Sequence, residues 1–360
     1  YRTNIKGCED WDFWVAAGAN GFFGRRIPEP LFMYRRHDTG IYQEVLESYN
    51  TKFAQIIFNN QKVYTVDDLN HAAQLLGKNC QREPNTFPSV SVIVPTFNRP
   101  EMLEEALKSI LNQTYRNFEI IVVNDGGKDV ADQINNFQDH RIKYLQQKSS
   151  KGQAAARNMG IQSAKGKYIA YLDDDDIFYP NHLEALVQVL ENSNYKVAYS
   201  DAHRIHQEKR GGQYITIKKD LPHSFDFDPD KFLVNNYVPI LCFMHEKACL
   251  DNIGLWDETL STHEDWDLWI RLSREYKFVH IKNVTAGYTW RTEGTSTTSK
   301  HRSDFLLTMG KIYQKHQKHV EYKPHVKLAQ NKYLQEWRRK ISGAEGKIRC
   351  SIIIPVFNQI

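Results

Sequence analysis

The chain has 360 residues, 41% of them hydrophobic and 25% charged, which are the proportions of a folded protein and exclude a disordered one. Mean hydropathy is −0.59, and no run of about 18 apolar residues offers a membrane span. The formal net charge of +4 is too balanced to imply nucleic acid.

In chain order, the first feature is a repeat. Glu9-Asp10-Trp11-Asp12-Phe13-Trp14 recurs as Glu264-Asp265-Trp266-Asp267-Leu268-Trp269. Ser91-Val92-Ile93-Val94-Pro95-Thr96-Phe97-Asn98 recurs, at nearly the same spacing, as Ser351-Ile352-Ile353-Ile354-Pro355-Val356-Phe357-Asn358. Two recurrences with one spacing imply a tandem array of similar domains. On this reading residues 1–40 are the C-terminal remnant of one domain, 88–300 a complete one, and 348–360 the first strand of a third. Residues 41–87 and 301–347 are helical linkers. Neither a basic segment with an apolar core behind it at the start nor CxxC spacing is present. No signal peptide is therefore read, and Cys8, Cys80, Cys242, Cys249 and Cys350 are expected as free thiols of a reducing, cytoplasmic compartment.

Within 41–78, Val45, Leu46, Phe53, Ile56 and Ile57 have helical spacing, followed by a second short run from Leu69 to Leu76. Pro84, Pro88 and the polar stretch 78–85 mark a linker. Ser89–Phe97 then reads as a buried strand, Glu101–Asn112 as a helix and Phe118–Val123 as a strand. A helix over Val130–Phe137, a strand over Ile142–Leu145 and a helix over Gly152–Ala164 follow. A strand over Tyr168–Leu172, a helix over Asn181–Glu191 and a strand over Val197–Ser200 complete the run. This alternation predicts an α/β fold, Rossmann-like, with a mostly parallel sheet between helices. Ligands then lie at the carboxyl ends of the strands. Residues 303–341 are rich in Lys, His and Gln, from Lys311 to Lys340. Such a basic face offers peripheral contact to an anionic membrane or acidic polymer; the plainer reading is a solvated helix bridging two domains.

The polar clusters fall at the expected strand ends. Asp173-Asp174-Asp175-Asp176 follows Leu172. Four adjacent carboxylates repel one another unless a cation offsets them, and hard oxygen donors suit Mg²⁺ or Mn²⁺. Alternation along an extended chain brings Asp173 and Asp175 to one side. The alternative is a solvated acidic turn before a helix. Asp125, followed by Gly126 and Gly127, accepts either a nucleobase N–H or its own turn's backbone. Lys151–Asn158 opens a helix whose start suits an anion, with Arg157 and Asn158 one to two turns in, whereas Ala154–Ala156 fit close helix–sheet packing. Glu264 and Asp265 begin a helix, where acids are favoured by the dipole, and a carboxylate beside aromatics also makes a general base. Arg291–Ser296 forms a polar loop that fits a diphosphate. Around residues 201–245, Asp201, His203, Tyr237 and His245 are candidate contacts to the sugar or the acceptor.

Taken in order, Val94–Asn98, Val123–Gly126, Ala156–Asn158, Leu172–Pro180 and Glu264–Asp265 resemble the motifs of the family-2, GT-A-fold inverting glycosyltransferases across about 88–300. The repeated arrangement is similar to bacterial multi-domain glycosyltransferases that assemble surface polysaccharides. The resemblance implies a nucleotide-sugar donor, with a UDP-sugar expected, and a glycan or other hydroxyl acceptor. It places Pro95, Thr96 and Asp125 in the nucleoside pocket, with Arg157 approaching the nucleotide. It assigns Asp173 and Asp175 to a metal, Mn²⁺ or Mg²⁺, and Asp174 to the donor sugar. Asp265 becomes the catalytic base with Glu264 beside it, and Arg291 belongs to a phosphate-binding loop. Many members carry a histidine near that loop, where this chain has Glu293. Two other functions compete: a non-catalytic carbohydrate-binding domain of the same fold, and a nucleotidyltransferase. Thr96-Phe97-Asn98-Arg99-Pro100 after the first strand lacks the Gly-rich loop that a nucleotidyltransferase needs.

Overall fold

The computed structural model describes residues 9–19, 49–60, 66–77, 89–291 and 302–344. The expected strand at 348–360 and the loop 292–296 lie outside them. The chain divides into two units, Tyr1–Phe87 and Pro88–Ile360.

In the first unit, α1 (Glu9–Ala19) begins at the first residue of the repeated hexapeptide. The helices α2 (Tyr49–Asn59) and α3 (Val66–Leu75) bury Ala54, Ile57 and Ala72 between them. Asp12 is buried and accepts a hydrogen bond from Asn60 Nδ2 at 2.7 Å.

The second unit is built on a mixed sheet. β1 (Val90–Thr96) is buried along its whole length, as its β-branched sequence predicts. It leads into α4 (Pro100–Leu111), whose Leu103, Ala106, Leu107 and Ile110 face the core. Next come β2 (Phe118–Asn124), the short α5 (Ala131–Asn135), β3 (Ile142–Gln146), α6 (Gln153–Ser163) and β4 (Tyr168–Tyr171). β3, β2, β1 and β4 lie side by side and parallel. Their carboxyl ends therefore meet at one edge. The alanines of α6 are buried, and Gly160 lets the helix approach β1: a Cβ there would lie 2.6 Å from Ile93 Cγ2. Close helix–sheet packing thus accounts for the small residues of this helix.

Beyond β4 the sheet changes character. The chain adds β5 (Ile177–Phe178), α7 (His182–Glu191), β6 (Val197–Arg210), β7 (Gln213–Asp220), α8 (Pro229–Phe232), β8 (Phe243–Glu246), α9 (Cys249–Ile253), α10 (Glu264–Glu275) and β9 (Phe278–Arg291). The strand order is β3-β2-β1-β4-β8-β6-β9-β5, with β7 paired to β6. β8 runs antiparallel to β4 and β6, while β9 runs parallel to β6. β6 extends ten residues past the expected strand end at Ser200, as a hairpin with β7. Its outer half is polar and open to solvent, so it lacks the apolar run that marks a buried strand.

The helices α11 (Arg302–Lys315) and α12 (Pro324–Ala344) correct the expectation of a solvated bridge over 301–347. Met309, Ile312, Val320 and Val326 are buried in the same core as the sheet. Tyr313 donates to Val234 O at 2.6 Å, and Gln330 to Leu233 O at 2.8 Å. Part of the basic face pairs with the domain: Lys315 with Asp257 and Asp267, His316 with Asp267, and Lys323 with Asp230. Lys311, Lys318, Lys327 and Arg338 remain exposed. Cys242 and Cys249 are buried free thiols. Among the described residues no helix is long and apolar enough to cross a membrane.

Candidate active site

The acid run after β4 is divided among separate partners. Asp173 takes Arg157 Nη2 at 2.7 Å. Asp174 turns inward, accepting Thr96 Oγ1 at 2.9 Å and pairing with Arg99 Nη1 at 3.1 Å. Asp175 takes Arg291 Nη1 at 2.8 Å and Arg99 Nη1 at 3.3 Å. Asp176 accepts the Thr289 N–H of β9 at 2.8 Å. Burial raises the Asp174 carboxyl to about 6, with Arg99 opposing the shift. Burial and the Asp175 and Asp173 charges push Asp176 upward as well.

Facing this run is the first turn of α10. His263, just before it, holds a left-handed backbone at φ 60°, a costly conformation for a side-chain-bearing residue. Its ring Nδ1 contacts Thr262 Oγ1 at 3.0 Å and Thr308 Oγ1 at 2.9 Å. Glu264 accepts Arg157 Nη1 at 2.7 Å. Asp265 accepts Asn236 Nδ2 at 2.9 Å and the Trp266 N–H at 2.7 Å. Burial, reinforced by the neighbouring Glu264 charge, raises the Asp265 carboxyl to about 7. That is a value suited to a general base.

The two walls enclose a cleft of about 360 Å³, lined by Arg99, Arg157, Asp173, Asp175, Glu264 and Asp265 among others. The structure thus brings together five of the predicted site residues. Arg157 is 1% exposed and spans from Asp173 to Glu264, with its guanidinium over the Trp256 ring at 4.9 Å. It joins the two walls instead of standing free for a nucleotide. Arg291 ends β9 and reaches the same site through Asp175, braced by Tyr214, whose ring lies 4.6 Å from its guanidinium carbon.

Pro95, Thr96, Asp125 and Asp174 do not line this cleft. Asp125 accepts Ser150 Oγ at 2.6 Å, Lys151 N at 2.8 Å and Gly152 N at 3.0 Å. Its first task is to dock the loop before α6. Gly126 permits this with φ +75° and no Cβ, since one would fall 2.4 Å from Ser149 C. Asp201, His203, Tyr237 and His245 do not line this cleft. Asp201, His203 and His245 bind His280, Tyr179 and Tyr171 within the fold, and Tyr237 hydrogen-bonds at Asp228. Sequence reading missed Arg99, Asn236 and His263. Arg99 alone carried a signal, a cation directly after β1.

The chemistry of a divalent cation fits only part of this donor set. Asp173 and Asp175 offer hard oxygens at the cleft surface, with side chains 24% and 19% exposed. Among the described residues no three His, Cys, Asp or Glu side chains converge as a complete site. Two carboxylates suit a cation that keeps water and substrate phosphates in its remaining positions.

Comparison with known proteins agrees with this architecture. The profile of "Glycosyl transferase family 2" matches residues 91–249. An uncharacterized glycosyltransferase of Methanocaldococcus jannaschii is 32% identical over 209 residues, 56% of this chain and 70% of that protein. One from Bacillus subtilis is 28% identical over 228 residues, covering 63% of this chain and 84% of the relative. An uncharacterized glycosyltransferase of Rickettsia bellii is 34% identical over 203 residues, and the chain covers 29% of its length. Among solved structures, residues 1–349 of Staphylococcus aureus TarS with UDP-GlcNAc superpose with TM-score 0.53 at 22% identity, over 72% of this chain and 74% of that one. The Pyrobaculum calidifontis mannosyltransferase with GDP-Man and Mn²⁺ gives 0.51 at 15%, over 85% and 87%. The fold is that of the GT-A-type glycosyltransferases. The chain belongs to glycosyltransferase family 2.

Proposed function

We propose that residues 88–344 transfer a sugar, with inversion, from a UDP-sugar to a hydroxyl of a glycan acceptor. The observation that carries this reading is the placement of Asp265, held by Asn236 and the Trp266 N–H, on the cleft and facing the acid run across it. Arg99 and Arg291 converge on Asp175 and supply the positive charge that a leaving diphosphate requires. Pro95, Thr96 and Asp125 lie together where β1 and β2 end, and we assign them to the nucleoside end. Asp125 keeps one acceptor position after its three loop contacts. Asp174, between Thr96 and Arg99, is assigned to the donor-sugar side.

Asp173 and Asp175 would hold Mn²⁺ or Mg²⁺, which when bound offsets charge on the diphosphate. Asp265 takes the proton from the acceptor hydroxyl. The acceptor oxygen then bonds to C1 on the face opposite the leaving group, the C1–O bond to phosphate breaks, and UDP departs. Arg157 holds Asp173 and Glu264 at a fixed separation throughout. TarS with UDP-GlcNAc supports the donor class, and the mannosyltransferase with Mn²⁺ supports the metal. The recurring motifs support a tandem array of such modules, which fits the assembly of a surface polysaccharide.

Calorimetric titration with UDP and a panel of UDP-sugars tests the reading. Binding is expected to strengthen with Mn²⁺, and Asp175→Ala is expected to remove that gain. Asp265→Asn is expected to retain donor binding and to lose about 10²–10⁴-fold in transfer. Full turnover by Asp265→Asn would overturn the assignment of the base.

A further inference from the structure

The cleft has a second side that the family match reaches only in part. Its acidic side comes from the β4 end and α6, within residues 91–249. The facing wall includes His263, Trp266, Phe305, Met309 and Tyr333, which lie beyond that segment, beside Asn236 and Ile240 within it. Phe305 and Met309 stand on α11 and Tyr333 on α12, so helices packed onto the domain from outside the matched region complete the cavity.

This wall is largely aromatic. The Phe305 ring lies 4.1 Å from that of His263 and is braced from behind by Trp337 at 4.8 Å. Trp337 also meets Tyr333 edge-on. Burial draws the His263 pKa down to about 4, so the imidazole is neutral at physiological pH. With Nδ1 occupied by the threonine hydroxyls, Nε2 remains for a ligand hydroxyl. Asp265 sits where the two sides meet. The arginines and acids claim one side for the diphosphate, so the hydroxyl that Asp265 deprotonates arrives from the aromatic side. A pyranose has a C–H face that is apolar and a rim of hydroxyls. An aromatic platform edged by His263, Thr262 and Asn236 matches both.

We propose that Phe305 and Tyr333, edged by His263, form the acceptor subsite and stack a pyranose ring of the acceptor. This rests on the reading of the cleft as a site of sugar transfer. The test uses the full chain saturated with UDP and Mn²⁺, with chitotriose, maltotriose and lactose as probes in saturation-transfer NMR. Ring protons of at least one probe are expected to be saturated by the wild type. Phe305→Ala and Tyr333→Ala are expected to weaken that binding about tenfold each, and Tyr333→Phe to restore it. UDP affinity, measured in the same samples, is expected to move less than twofold. Sugar contact that survives the double alanine variant, or no contact with any probe, overturns the subsite. An equal fall in UDP and sugar binding overturns it too, because it marks a merely structural role. Failure of the wild type to bind UDP overturns the donor reading and the subsite with it.

Discussion

Arg157 shows how one side chain serves structure and site together. It is wholly buried, an expensive place for a charge, and it is tolerated because Asp173 and Glu264 each accept one of its terminal nitrogens. Removing it leaves two carboxylates facing each other. Arg157→Met is therefore expected to lose about 3–5 kcal/mol in chemical denaturation. Asp265 carries a different signature. Its proton acceptor must be ionised to act, so the rate of transfer is expected to fall as pH drops below about 7. The same raised carboxyl works against the fold. Its contribution to stability is complete below the ordinary carboxylate pKa and is lost as pH rises through about 7. At pH 8 Asp265→Asn is thus expected to melt higher than the wild type, a comparison that thermal denaturation makes directly. The acid run, Glu264 and Asp265 were legible as chemistry because carboxylates need a reason to cluster. Arg157 was legible as a site residue, but its role was not, since only the fold reveals that its partners are Asp173 and Glu264.

Among the elements, β1, β2, β4 and α6 were readable because burial on both sides demands continuous apolar or small residues. β9 and the outer half of β6 were not, since polar residues interrupt the apolar run that marks a buried strand. The last two helices were misread for a related reason. Their buried Met309, Ile312, Val320 and Val326 are sparse among lysines and histidines. The carboxylates that receive those cations lie 48 to 95 residues earlier. Asp267 is the clearest of these attachments. It is 0% exposed and binds Arg271 on its own helix, together with Lys315 and His316 at the end of α11. Burial pushes its pKa upward, but His316, Arg271 and Lys315 outweigh it and hold the carboxyl below the usual range. Asp267→Ala is expected to cost about 3–5 kcal/mol. Hydrogen exchange is expected to speed up over 302–316 first, because that segment loses its anchor.

For the whole molecule, the repeat extends further than the hexapeptide. Both copies begin a helix at their first residue. The fourth residue of each, Asp12 and Asp267, is buried and binds the residue just past the end of the following described helix, Asn60 and His316 respectively. The separations are 48 and 49 residues. This correspondence supports the tandem proposal. It also ties the helical pair to the module that precedes it. The family profile matches residues 91–249, within the second unit. Calorimetry on this chain is accordingly expected to find one UDP-sugar bound per chain; two would mean that the first unit completes a site of its own.

The attachment of α11 and α12 to the domain has a consequence for how such proteins diversify. On the proposed assignment, the acid run that faces the donor lies at the end of β4, whereas Phe305 and Tyr333 of the acceptor wall stand on α11 and α12. Exchange of α11 and α12 alone is then expected to replace the aromatic platform while leaving the acid run and Asp265 in place.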